Sequence, residues 1–164
     1  MIEQSATNAI AQSPRIMDEL REVHGDWLVV GVIQRNRAWA RKSCVIVQEQ
    51  TDPETRDRLL LVELRPDAGR LKATLILPFG LHFRKGVVLQ IDDGNRTPAL
   101  PFSTALPLGR FVDLDIDVPR IMRLKSGKTL YIHATTANDA QPIRFDISLN
   151  GFAAALARAE SIVG

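Results

Sequence analysis

The sequence predicts an all-β fold: an antiparallel β-sandwich of about eight strands, with a short C-terminal helix and a possible short helix near the N-terminus. Three observations point there. Apolar, β-branched runs of five to nine residues recur from Trp27 onward, each bounded by Gly, Pro, Asp or Asn. Two of them alternate with a period of two. Helical stretches long enough to cross between parallel strands are missing from the body of the chain.

Taken in order, "MIEQSATNAIAQS" is a polar, flexible leader over residues 1–13, and residues 14–164 form one domain. "SPRIMDELREVHG" can open a short helix with Ser13 as cap, Pro14 in its first turn, Ile16, Leu20 and Val23 on one face, and Gly25 as its stop. The strand runs are 27–33, 40–48, 58–65, 71–77, 87–92, 110–117, 128–134 and 143–149. In "VDLDIDV" Val112, Leu114, Ile116 and Val118 point one way and Asp113, Asp115 and Asp117 the other. "IRFDISL" repeats the pattern with Ile143, Phe145, Ile147 and Leu149 inward. The tail "NGFAAALARAESIV" reads as a helix capped by Asn150, with Phe152, Leu156 and Ala159 against the sheet. The core expected from these patterns is Trp27, Val29, Leu75, Leu77, Val87, Leu89, Ile91, Leu114, Ile116, Phe145, Ile147, Leu149 and Phe152.

Composition narrows the function classes. The chain has 164 residues, 45% hydrophobic and 24% charged, as in a soluble globular domain. Its 21 basic and 19 acidic residues nearly balance, so no strong field for nucleic acid is expected. Cys44 is the single cysteine, which excludes a disulfide within these residues and reads as a small buried hydrophobe. The longest apolar runs fall well short of the roughly 20 residues of a spanning helix. The N-terminus lacks a basic stretch followed by an apolar core, so a cytosolic start and an exported chain trimmed of its leader both fit.

The chemical motifs thin out when their spacing is tested. Asp113, Asp115 and Asp117 imitate the start of a calcium loop, but Val118 and Leu124 stand where that loop needs Gly and Glu. A solvated outer face opposite basic residues is the better reading. "SGKT" at 126–129 lacks the earlier glycine of a phosphate loop and precedes a strand. His24, His82 and His133 are scattered without metal-ligand spacing, and no GxSxG or activated cysteine occurs. No catalytic residue, metal or cofactor is expected. "QRNRAWARKS" gathers Arg35, Arg37, Arg41 and Lys42 around Trp39; a solvated loop between two strands is the leading reading and a stacking nucleic-acid loop a minor one, while the same patch could meet an acidic glycan or an anionic membrane surface. Arg35, Arg37, Trp39 and Arg41, with the aspartates 113, 115 and 117, are the candidate ligand-binding residues. In "LPFGLHFRKGVVLQIDDG" (77–94) each residue has a structural task, and Asp92 and Asp93 point to opposite sides, which suits a turn better than an acid–base pair.

The order of motifs resembles the invasion-associated locus B family: "GDWLVV" (25–30), "CVIVQ" (44–48), "LPFGLHFRKGVVLQIDDG" (77–94), "LPF" (100–102), "LKSGKTLYI" (124–132) and "ISLNGFAAAL" (147–156). The resemblance covers about residues 23–160. It implies a bacterial envelope protein, generally exported to the periplasm or cell envelope and linked in pathogens to host-cell entry, with no catalytic residues to carry over. Gly31, Ala105 and Arg110 stand near places where family members commonly carry cysteines, so this chain looks like a disulfide-free variant. The expected role is a non-enzymatic interaction module with a protein or glycan partner, a homodimer remaining open. The alternatives are a glycan- or small-ligand-binding sandwich, cation-assisted through the aspartates, and, for location, the cytoplasm.

Overall fold

The computed structural model describes residues 16–164; the expected leader, Ser13 and Pro14 lie outside them. In chain order come β1 (Ile16–His24), β2 (Trp27–Arg35), β3 (Ala40–Thr51), β4 (Arg58–Asp67), β5 (Arg70–Leu77), a 3-10 turn (Phe83–Lys85), β6 (Val88–Ile91), β7 (Thr104–Leu106), β8 (Gly109–Ile116), α1 (Val118–Ser126), β9 (Thr129–Thr135), β10 (Pro142–Ser148) and α2 (Phe152–Val163). A seven-stranded sheet runs in the order β1-β2-β3-β4-β5-β8-β7, and a three-stranded sheet in the order β10-β9-β6. Every paired neighbour is antiparallel.

Strand alternation sorts residues into an inner and an outer face. Trp27, Val29, Ile46, Val62, Leu75 and Val112 are buried on the inner face of the large sheet, and Leu89, Ile132, Phe145 and Ile147 on that of the small one. Both sets belong to one hydrophobic core, joined by Phe152, Ala155, Leu156, Ala159 and Ile162 of α2. That spacing of three and four residues is one helical stripe. Of the expected core, Ile91 and Leu114 are only partly buried and pack against it; the others are buried.

Three local expectations are corrected. Residues 16–24 form an edge strand, not a helix: β1 pairs along its whole length with β2, and the helical spacing of Ile16, Leu20 and Val23 does not survive that ladder, since Ile16 and Val23 are exposed. The alternating run stops at Ile116. Asp117 leaves the strand and caps α1, its carboxylate accepting from Arg120 N at 3.1 Å, so Val118 is exposed. Asn150 does not cap α2; Gly151 does, at φ 84° and without a side-chain bond. A glycine is required there, because a Cβ on Gly151 would stand 2.1 Å from the His24 carbonyl oxygen.

This close approach brings the start and the end of the domain together. Asp26 N donates to Asn150 O at 3.0 Å, and Trp27 Nε1 to Ser148 O at 3.0 Å. The buried Gln48 amide continues the contact, its Nε2 donating to Ser148 O at 2.9 Å while its Oε1 accepts from Ser148 N at 3.2 Å. Trp27 meets Phe152 edge to face, ring centroids 5.6 Å apart. "GDW", "VQ" and "SLNGF" are therefore one packed knot.

Candidate functional site

The predicted site residues fall into two separate groups. Arg35, Arg37, Trp39 and Arg41 belong to the β2–β3 hairpin. Asn36 shapes its turn, Oδ1 accepting from Ala38 N at 2.8 Å and Trp39 N at 2.9 Å. Trp39 is 44% exposed, and Arg35 pairs with Asp18 of β1. Asp113 and Asp115 lie on β8, which β4 and β5 separate from β3. Asp113 accepts from the Thr74 and Ser103 hydroxyls, at 2.9 and 2.8 Å, and Asp115 stands opposite Lys72. With Asp117 committed to α1, the three carboxylates do not converge. Among the described residues no three His, Cys, Asp or Glu side chains are grouped to hold a metal.

The segment 77–94 mainly shapes the fold. Gly86, at φ 60°, would place a Cβ 2.1 Å from the Leu100 carbonyl oxygen, so only glycine lets the end of the 3-10 turn approach the loop at Leu100. The Asp92 carboxylate accepts from Lys128 N and Thr129 N, at 3.1 and 2.9 Å, tying the end of β6 to the start of β9. The same segment also builds a surface the sequence reading missed. Arg110 stands on the inward row of β8, two residues before Val112, where the sheet ends. Its guanidinium carbon lies 5.9 Å from the Phe79 ring centroid, 5.3 Å from Phe83 and 5.9 Å from Phe102. Phe83 and Phe102 stack at 5.8 Å. The buried Arg110 Nε has no hydrogen-bond partner among the described residues.

Phe102 is buried, but Phe79 and Phe83 are 56% and 49% exposed, and Leu106 and Leu108 of the adjoining β7–β8 turn are exposed as well. Phe79, Phe83, Leu106 and Leu108 thus form an exposed apolar patch around a partly buried arginine. The available signal was that Phe79 and Phe83 sit in a glycine-containing turn, where no strand alternation assigns them to the core.

Elsewhere burial raises the Cys44 thiol above its ordinary pKa and leaves it inert. The Arg158 guanidinium bonds both oxygens of Glu22, at 2.8 and 3.0 Å, and lowers that carboxyl. An apolar cleft of about 230 Å³ opens between α1 and the turn after β6, with Leu89, Leu114 and Leu124 inside and Arg120, Arg123 and Asp93 among the residues lining it.

The fold and this surface define a helix-braced β-sandwich with an aromatic–arginine face. The comparisons place it: the profile described as "Invasion associated locus B (IalB) protein" matches residues 32–160, and the chain belongs to that family. The invasion protein B homologue of Brucella abortus is 38% identical over 96% of this chain and 90% of its own length. Invasion protein B of Bartonella bacilliformis is 26% identical over 94% of this chain and 82% of its own. The crystal structure of invasion associated protein B from Bartonella henselae superposes with a TM-score of 0.76 at 25% identity, covering 87% of this chain and 95% of that one.

Proposed function

We propose that the chain is a non-enzymatic protein of the bacterial envelope that works by binding a protein partner, in the service of host-cell association. The observation that carries this reading is Arg110 held among three phenylalanines, two of them open to solvent. Such a surface offers apolar area and a cation to a partner without rearrangement. The Trp39 hairpin, with Arg37 and Arg41, supplies a second contact. Family membership supports the host-directed role, since the relatives carry the name invasion protein B.

The test measures binding of the purified, labelled protein to host cells. Phe79→Ser with Phe83→Ser should abolish binding while leaving the fold intact by circular dichroism; undiminished binding would overturn the reading. Fractionation of cells expressing the full gene tests location, and a chain confined to the cytosol would remove the envelope part.

A second reading, a small-ligand carrier, is favoured by the apolar cleft beside α1. Dodecanoate should then raise Tm, and Leu124→Trp, which fills the cleft, should cancel the rise. No shift with dodecanoate would discard this reading for single-chain amphiphiles.

A further inference from the structure

The outer face of the three-stranded sheet carries a polar cluster that the aromatic surface does not use. Val88, His133 and Arg144 stand in register across β6, β9 and β10, and a cleft of about 350 Å³ opens over them. Its charged and titratable lining is Lys85 from the 3-10 turn, Arg96 from the loop after β6, His133 and Arg144; no carboxylate lines it. Arg144 is partly engaged, pairing with Asp146 at 2.8 Å and lying 4.4 Å from the Tyr131 ring centroid. Lys85 and Arg96 have no ion-pair partner among the described residues.

His133 joins these cations through a defined hydrogen bond. The Gln90 amide is oriented by its Nε2 donating to the Gly94 carbonyl at 3.0 Å, which leaves Oε1 to accept from His133 Nε2 at 2.9 Å. The neutral imidazole thus carries its proton on Nε2, and Nδ1 has no hydrogen-bond partner among the described residues. Protonation would make Nδ1 a second donor. Burial first, then the charges of Arg96 and Arg144, hold His133 below its ordinary pKa, with Asp146 acting in the opposite sense. Arg96 and Arg144, with no carboxylate in the cleft to balance them, disfavour the imidazolium, and a bound anion would relieve that repulsion.

We propose that this cleft binds a tetrahedral oxyanion, the sulfate or phosphate group of a ligand, between Lys85, Arg96, His133 and Arg144. An oxyanion there offsets the uncompensated cations and accepts hydrogen bonds from the guanidinium and ammonium groups. His133 makes the affinity pH-dependent. A bound anion favours the imidazolium and raises its pKa, so by linkage binding tightens as pH falls through that value. A rise of one unit corresponds to about tenfold tighter binding below both pKa values. The groups that set this balance are Gln90 on β6, Tyr131 on β9, Arg144 and Asp146 on β10, and Lys85 and Arg96 at the rim.

The first probe is inorganic sulfate, which stays a dianion throughout the titration of histidine. The His133 ring, followed by nuclear magnetic resonance, should titrate higher in sodium sulfate than in sodium chloride of equal ionic strength. Arg96→Ala should raise the His133 pKa in the ligand-free protein and weaken sulfate binding severalfold, while His133→Gln should remove the pH dependence and retain binding at high pH. Glucose 6-sulfate and glucose 6-phosphate then separate the two sources: binding of either supports the site, and the tighter names the ligand group. Identical His133 titrations in the two salts, or sulfate affinity unchanged when Lys85 and Arg96 are both alanine, would overturn the proposal.

Discussion

Two aromatic clusters of this molecule are built alike and finished differently. At the knot, Trp27 and Phe152 are buried, and the indole N–H, the Gln48 amide and the Ser148 backbone satisfy one another. At the end of the sheet, Phe79 and Phe83 stay exposed, and Arg110 Nε is buried without a partner. A satisfied buried network fixes one structure. The second cluster leaves a buried donor unpaired beside rings that stay open to solvent.

Substitutions can break this contrast, and the largest effect belongs to the knot. Phe152→Ala should lower stability by about 3–5 kcal/mol in urea unfolding, since it empties a fully buried site between sheet and helix. A loss under about 1 kcal/mol would mean that α2 is not part of the core. Gln48→Ala strands the Ser148 N–H and should cost about 1–3 kcal/mol by the same measurement. The Glu22–Arg158 pair, joining β1 to α2, sharpens the comparison through pH. Arg158 depresses the Glu22 pKa, so the stabilisation is present above the ordinary carboxylate range and lost as pH falls through the depressed value. Tm of the wild type and Arg158→Ala should differ near neutrality and converge in acid; a constant difference would mean that packing alone joins them. The smallest effect is expected at the open rings. Phe79→Ser with Phe83→Ser should change stability by no more than about 1 kcal/mol, and a much larger loss would make them core residues and end the contrast.

Much of the fold was legible because burial writes itself into alternation. The runs from Trp27 and Leu71 face the core as their period of two requires, whereas in the last strand Phe145 and Ile147 are buried but Ile143, expected inward, is exposed near the strand's start. β1 was not legible. An edge strand bonded on one side tolerates charge along its length, and Asp18, Glu19, Arg21 and Glu22 between apolar residues match a helix surface equally well. α1 was masked by its neighbour: the alternation of β8 was carried through Val118, although Asp117 before Pro119, with Ile121 and Leu124 three apart, is a helix start. At the surface, the sequence set out the basic Trp39 loop as a row of charges, but nothing in it placed Phe102 and Arg110 beside Phe79 and Phe83. That cluster comes from β8 lying against β5, a pairing across more than thirty residues (Leu77 with Arg110) that local pattern does not encode.

The knot also sets when this protein can fold. Trp27 donates its hydrogen bond to a residue 121 positions later, and Glu22 meets an arginine 136 positions later. Closing such long loops is slow, and the first strands have no lid until the last helix has been made. The native core can therefore close only after α2 has been made. Until then its apolar strands stand uncovered, the condition in which partly folded chains associate.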